Sequence, residues 1–335
     1  MFRLAFPPAR AFVASLFTAL FTALFTVVAP SSALAQFPDR PVRIVVAFAP
    51  GTGSDVLARL VASGMGPLLN GTVIVDNRPG GGGITGTESV ARSPADGYTL
   101  ALGTTSTLVT NPALNPAAKY SVDKDFAPVA GLGKAWYALV TAESPETPKT
   151  LGELVTRLKA KPASFASAGQ GTITHLASEM FLSRVGVTDA THVPYKGSGQ
   201  AMSDVAGGQV LFASDTVAAA LPLIRGGKLR ALAVTAPERL ATLPDVPTTK
   251  ELGYADLRAH AWLVLMAPAG TPAPVVTRLS QAALGAMNAP DMREKLKAQE
   301  LEPMLMDSKT LGEFIRAETP YWNDFIKRTG IKAGS

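Results

Sequence analysis

The sequence predicts an α/β protein of two lobes, each a mostly parallel sheet flanked by helices, and three observations lead there. Strand and helix patterns alternate along almost the whole chain, which calls for βαβ units. The earliest strand candidate, Val42 to Phe48, is a nearly unbroken β-branched and apolar run, as expected of a strand covered on both faces. The number of strands also fits two sheets better than one oversized sheet, and 335 residues leave room for two domains of ordinary size.

Each element follows from its local pattern. Val56 to Leu68 carries Leu57, Leu60, Val61 and Leu68 on one helical stripe, with Gly66-Pro67 as the expected stop. Strands are predicted at Thr72 to Val75, Tyr98 to Leu102 and Trp136 to Thr141. Thr150-Leu151-Gly152-Glu153 reads as a capping box, ahead of an apolar stripe at Leu151, Leu154, Val155 and Leu158. A short strand at Phe165 to Ser167 leads through a glycine loop into a helix over Thr172 to Val185. Strands at Thr191 to Val193, Gln209 to Ala213 and Leu229 to Thr235 alternate with helices near Ala201 and Ala218. The last third holds one further strand, Trp262 to Met266, and helices near Val275, Asp291 and Leu311. Lys149 to Glu153 and Lys309 to Glu313 are both Lys-Thr-Leu-Gly-Glu, but nothing longer recurs, so the pair reads as one helix start used twice. Because an interior proline costs a helix about 3 kcal/mol, Thr319 is expected to cap a fresh helix with Pro320 at its first position.

The N-terminus sets the compartment. Arg3 and Arg10 are the only charges before Gln36, Ala11 to Val28 is apolar, and Ala33-Leu34-Ala35 ends the stretch. These are the three regions of a cleavable secretory signal peptide, and the A-x-A signal without a basic stop-transfer flank favours cleavage after Ala35 over a membrane anchor. Losing those residues would leave 300 of 335 and lower the net charge from +5 to +3, too mild and too dispersed for nucleic acid. The mature product is expected to be soluble. There are no cysteines, so stability must come from apolar cores, and thiolate metal sites and cysteine nucleophiles are excluded.

Two glycine loops share one design. Phe48-Ala49-Pro50-Gly51-Thr52-Gly53-Ser54-Asp55 and Ser167-Ala168-Gly169-Gln170-Gly171-Thr172 each join a strand to a helix. Glycine allows a tight turn and close approach to bare N–H groups, and the helix behind adds unpaired donors and a positive dipole end. A carboxylate or phosphate suits such a place without lysine or arginine. Ser54, Ser167 and Thr172 add hydroxyls. Read alone, either loop could simply turn the chain, with Ser54 and Thr172 as helix caps. As a pair they suggest a ligand clamped between lobes. Charge-assisted hydrogen bonds contribute roughly 1.5–3 kcal/mol each and micromolar binding needs about 8 kcal/mol, so three or four per lobe suffice after the cost of ordering.

Other constellations are excluded. Gly81, Gly83 and Gly86 match G-x-G-x-x-G, but Asp76-Asn77-Arg78-Pro79 separates them from the preceding strand and Asp96 comes too early for a dinucleotide site. His175, His192 and His260 show no zinc spacing, and no G-x-S-x-G elbow exists. No metal, cofactor or catalytic residue is therefore expected. His175, in the first turn of its helix, either touches a ligand or caps the helix. Asp55 either holds an amino group on the ligand or serves as a favourable first-turn acid, and Asp215, after a strand, poses the same choice.

At these loops the chain resembles the Bug family of periplasmic proteins, the extracytoplasmic solute receptors of tripartite tricarboxylate transporters. The likeness covers essentially the whole mature chain. It is carried by Phe37-Pro38 with Pro41-Val42-Arg43-Ile44-Val45-Val46, Asp76-Asn77-Arg78-Pro79-Gly80, Asp96-Gly97-Tyr98-Thr99-Leu100 and Asp125-Phe126-Ala127-Pro128-Val129. It continues through Ala166 to Gly169 with Gly171-Thr172 and His175-Leu176, His192 to Gly197, Gly227 to Thr235, and Ala267 to Pro272. The resemblance implies a two-lobed Venus-flytrap fold with two hinge crossings, and no enzymatic activity. The lobes it implies are 36–136 with 261–335, and 137–260. It also implies a small carboxylate ligand, a permease of large and small integral subunits as partner, no cofactor, and a monomeric receptor. By that match Phe48, Pro50, Gly51, Thr52, Gly53 and Asp55 line one wall. Ser167, Ala168, Gly169, Gly171, Thr172 and His175 line the other, with Ser106 and Asp215 nearby. The first loop departs from the usual Pro-Gly-Gly, since Thr52 replaces the second glycine; a side chain there narrows the pocket or adds a hydroxyl. Two alternatives stay open: a receptor presenting its ligand to a sensor kinase, and a periplasmic hydrolase or isomerase using His175 and Asp215.

Overall fold

A computed structural model of the chain describes residues 37–257, 259–329 and 331. The segment expected to be a signal peptide, with the expected cleavage after Ala35, lies outside the described residues. Residues to Asp39 form one unit and Arg40 to Ser335 another; the architecture that follows is that of the second.

The chain opens with strand β1 (Val42–Val46), helix α1 (Gly53–Leu69), β2 (Val73–Asn77), a 3-10 turn at Gly81–Gly83, α2 (Ile84–Ala91) and β3 (Thr99–Thr104). A π-helical turn at Ser106–Thr110 and the short helices α3 (Asn111–Leu114) and α4 (Val122–Asp125) lead into the long strand β4 (Phe126–Ala142). Next come α5 (Leu151–Ala160), β5 (Ser164–Ser167), α6 (Ile173–Val185), β6 (Thr191–Pro194), α7 (Ser198–Ala206), β7 (Phe212–Thr216), α8 (Val217–Arg225) and β8 (Leu229–Val234). The chain then returns through β9 (His260–Pro268), α9 (Ala273–Met287), α10 (Pro290–Ala298), β10 (Leu301–Met306) and α11 (Ser308–Thr329).

Two lobes share β4. Its first part pairs with β9 and β10, its last part with β7 and β8, and the partners change between Trp136 and Tyr137. Among the named strands, parallel ladders are β2-β1-β3 in the first lobe and β6-β5-β7 in the second. The α/β class is as expected, but the shared strand and the returning strands β8, β9 and β10 are antiparallel, so the parallel ladders are the outer part of each sheet. β1 is buried along nearly its whole length, which is why it reads as a continuous apolar run. Trp262 and Val264 of β9 and Leu279 of α9 fill the first core, and Ala138, Val140, Ala213 and Val234 the second. At Gly64 a Cβ would fall 2.6 Å from the Ala286 Cβ, so this interior glycine lets α1 and α9 cross closely.

Several expectations need correction. β4 begins ten residues before Trp136, since Pro128, Gly131 and Gly133 hide a bulged strand behind residues that disfavour one. β7 lies at 212–216 and not at 209–213, and so carries the polar Ser214 and Asp215 within the strand. β10 was not predicted: Glu302 and Pro303 interrupt its apolar pattern, yet it pairs with one side of β4. Pro67 does not stop α1, which continues to Leu69 and ends on Asn70 in the left-handed conformation. Nor does Pro320 start a helix. α11 runs through it, the Thr319 hydroxyl donates to the Ile315 carbonyl, and burial of Leu311 and Ile315 before it and Trp322 after it offsets the lost backbone bond. The repeated pentapeptide is used differently each time. Thr150 caps α5 by accepting from the Glu153 amide while Glu153 accepts from the Lys149 amide. In the second copy Asp307 accepts from the Thr310 amide, so the helix already starts at Ser308. No described helix is long and apolar enough to cross a membrane.

Candidate functional site

The two glycine loops face one cavity between the lobes, which holds about 460 Å³ of unoccupied space, part of it open to solvent. On the first lobe Phe48, Thr52, Gly53, Ser54 and Ser106 line it; on the second, Ala168, Thr172, Thr174, Ser198 and Asp215 do. Thr104, Ala135, Tyr137, Thr216, Ala261 and Leu263 complete the wall. Hydroxyl groups dominate, and no lysine, arginine or histidine is among the lining residues.

The first loop is built by caps and a brace. Thr52, with φ −73°, is the N-cap of α1: its hydroxyl accepts from the Asp55 amide at 3.3 Å and donates to the Ala49 carbonyl at 3.1 Å. Ser54 is therefore no cap. It lies in the first turn, and its amide and that of Gly53 remain as the turn's unpaired donors at the cavity wall. Thr52 needs no glycine conformation, which explains how the loop tolerates the departure from Pro-Gly-Gly.

Asp55 does not line the cavity. Its Oδ2 accepts from the Gly51 amide at 2.9 Å and from Arg59 at 3.1 Å, and its Oδ1 from the Asn77 amide group at 2.9 Å. Burial works against its charge, but these hydrogen bonds and the Arg59 guanidinium outweigh it and hold the carboxyl below its usual range. Asn77 also donates to the Phe48 carbonyl at 3.1 Å. Asp55 thus braces the loop. Pro50 and Gly51 are exposed and lie off the cavity wall, with the Gly51 donor already committed to Asp55.

The second loop differs from the expected turn of bare amides. The Ala168 amide donates to the Thr174 hydroxyl at 2.8 Å, that of Gly169 to the Ser167 hydroxyl at 3.1 Å, and that of Gly171 to Nδ1 of His175 at 3.3 Å. Thr172 stands at the N-cap position of α6, but its hydroxyl donates to the Gly169 carbonyl at 2.6 Å. The Thr172 and Thr174 hydroxyls reach the cavity wall but bond to each other at 2.7 Å, so the loop engages its hydroxyls as well as its amides internally. Ser167, Gly169, Gly171 and His175 stand behind the wall.

His175 is buried, and its Nε2 lies 3.6 Å from Glu179. It stacks on His192 at 3.9 Å between ring centroids, and His192 stacks in turn on Phe165 at 4.9 Å. His192 Nε2 and the Ser167 hydroxyl share a hydrogen bond of 2.7 Å. Burial first, and the neighbouring His175 second, push the His192 pKa down to about 3, so the ring is neutral. Each imidazole fixes one end of the loop.

Asp215 is on the wall, 1% exposed. Its Oδ1 accepts from the Ser198 hydroxyl at 2.9 Å and the Thr216 amide at 2.7 Å. Burial raises its pKa to about 6 against those bonds. Tyr137, beside it, is pushed well above its normal range by burial and by the Asp215 charge.

The lobes touch around the cavity. The Ser106 hydroxyl accepts from the Ile173 amide at 2.9 Å, and the Thr110 hydroxyl donates to the Gly171 carbonyl at 2.6 Å. The glycine run that mimics a dinucleotide motif serves this contact. A Cβ on Gly82 would fall 2.9 Å from the Gln170 carbonyl oxygen, and one on Gly169 only 3.0 Å from the Gly82 Cα.

Of the anticipated residues, then, the structure gathers Phe48, Thr52, Gly53, Ser106, Ala168, Thr172 and Asp215 at the cavity. Thr104, Tyr137, Thr174, Ser198 and Thr216 were not anticipated as site residues. Thr174 carried a weak signal, a second hydroxyl two residues into the helix start. Among the described residues no cluster of His, Asp and Glu could hold a metal.

Residues 57–331 match the family model of the tripartite tricarboxylate transporter family receptor, TctC. Three solved structures are similar over nearly the whole chain. The periplasmic binding protein BugD is 33% identical, with 88% of this chain and 99% of that one covered at a TM-score of 0.83. MatC from Rhodopseudomonas palustris with bound malate is 33% identical, covering 87% and 100% at 0.81. Rpa4515 of R. palustris with adipate is 31% identical, covering 88% and 99% at 0.84.

Proposed function

The chain belongs to the tripartite tricarboxylate transporter receptor family, and from that premise we propose that it captures a small organic carboxylate between its lobes and delivers it to a membrane permease. The observation that carries this reading is the cavity wall. Two first-turn amides of α1 converge there with the Ser54 and Ser106 hydroxyls, without a cationic side chain. Such a wall binds an anion through directed donors and a helix dipole. Similar proteins hold malate and adipate, which supports the same ligand class here.

The reading assigns 36–136 with 261–335 to one lobe and 137–260 to the other. The partner change of β4 after Trp136 and the entry into β9 at His260 are its two crossings. On this reading residues 1–35 are the secretory signal that sends the mature receptor to the periplasm, where it acts as a monomer. Closure is driven by the ligand's greater affinity for the closed form. Permease delivery is preferred to presentation to a sensor kinase on the strength of the family match. The enzyme alternative loses its base, because His175 is committed to Gly171 and Glu179 behind the wall.

A thermal-shift screen of the purified protein against small carboxylic acids and their primary amides tests the proposal. A ligand at 100 times its Kd stabilises by about 2.7 kcal/mol, so a subset of acids should raise the Tm while their amides do not. Equal shifts with acids and amides, or none with any acid, would overturn it.

A further inference from the structure

Asp215 is the one carboxyl side chain among the residues lining the cavity, and it is only half engaged. Oδ1 is occupied by Ser198 and Thr216, whereas Oδ2, equally buried, has no hydrogen-bond partner among the described residues. No cation on the cavity wall balances it. A site that must take a carboxylate therefore carries a fixed acid of its own, and a buried acceptor left open is costly until a donor reaches it. No described residue donates to it, which leaves the ligand to bring a donor.

Position narrows where on the ligand that donor sits. Asp215 is held through the amide of Thr216, and a Cβ built on Gly53 would lie 3.8 Å from the Thr216 hydroxyl. The open acid thus stands across a narrow gap from the first turn of α1, where the unpaired amides receive the carboxylate. A narrow gap favours a donor on the carbon next to the carboxylate over one far along a chain.

We propose that Asp215 Oδ2 receives a hydrogen-bond donor carried next to the ligand's carboxylate, so that the cargo is a 2-amino or 2-hydroxy acid, the ammonium form being bound most tightly. The inference rests on the carboxylate-receptor reading and specifies its ligand. A zwitterion satisfies both halves of the site, with carboxylate on amides and hydroxyls and ammonium on Asp215. A hydroxyl satisfies the acceptor without balancing the charge, and an unsubstituted acid leaves it open.

Calorimetric titration with matched probes tests this: propionate, lactate and alanine; succinate, malate and aspartate; glutarate, 2-hydroxyglutarate and glutamate; with adipate and benzoate alongside. In the chain length that binds, the amino acid should bind at least tenfold tighter than the unsubstituted acid, with the hydroxy acid between them. Asp215→Asn, isosteric and still able to accept at Oδ1, should cut that preference below threefold. An unsubstituted acid binding as tightly, a hydroxy acid outranking the amino acid, or a preference that survives Asp215→Asn overturns the assignment. Binding of adipate or benzoate alone overturns it while leaving the receptor reading intact; binding of none of the eleven removes both.

Discussion

Removing the charge of Asp215 should make the ligand-free protein more stable at neutral pH. Burial lifts this carboxyl from 3.8 to about 6, and each unit is worth 1.36 kcal/mol between protonation states. The folded state holds the proton more tightly than the unfolded chain, so this group's contribution to stability is fully present below pH 3.8 and is lost as pH rises through about 6. Roughly 3 kcal/mol is lost by pH 7.5. Asp215→Asn keeps the shape and the Oδ1 acceptor for Ser198 and Thr216 but never pays for the charge. For a folded unit of about 300 residues, unfolding entropy near 2.1 cal/mol/K per residue converts 3 kcal/mol into a Tm rise of about 5 °C. Thermal and urea unfolding of both proteins at pH 4 and pH 7.5, without ligand, would measure it. The variant should gain clearly at pH 7.5 and little at pH 4. An advantage independent of pH, or a variant less stable at pH 7.5, would refute the reasoning.

Two further outcomes follow from the second loop and the lobe contact. His192 has its pKa lowered to about 3, so the unfolded chain binds its proton first and stability should decline as pH falls from about 6.5 towards 3; His192→Gln should flatten that decline in acid unfolding curves, opposite in sign to the Asp215 effect. Gly82→Ala puts a Cβ against the Gln170 carbonyl and forces alanine to φ +67°. It should therefore weaken carboxylate binding at least tenfold in calorimetry, through impaired closure, and unchanged affinity would remove this contact from the closing surface.

What could be read in the sequence was what local pattern determines. β1 announced itself because both faces are buried, and the two loops because glycine between a strand and a helix is a local arrangement. The cap at Thr150 was likewise legible. The misses have physical causes. β7 ran on into Ser214 and Asp215, polar residues that a search for apolar periodicity ends on. Pro67 and Pro320 sit in helices held by burial on either side, so packing overrode a local breaker. The brace of Asp55 by Asn77, and the wall positions of Tyr137, Ser198 and Thr216, depend on contacts between distant segments. The run from Gly80 to Gly83 mimics a dinucleotide motif that the sequence itself excludes, but its actual use stays hidden there. Gly82 meets Gln170 and Thr172 of the other lobe, which no spacing rule reveals. The idea of two equivalent amide turns was half right, since the second turn spends its amides on its own side chains.

A single strand laddered into both sheets constrains how such a molecule can move. A bend confined to Trp136 and Tyr137 would have to tear cross-strand bonds on both flanks of β4. Torsion is the cheaper coordinate, and the register slips between Pro128 and Ala130, between Gly131 and Gly133, and between Leu139 and Val140 lie on either side of the junction. The strand is thus a torsion bar with compliant sections at each end. Domain rotation becomes a smooth wringing of the ribbon, and its amplitude is set by how much extra twist those irregularities can absorb.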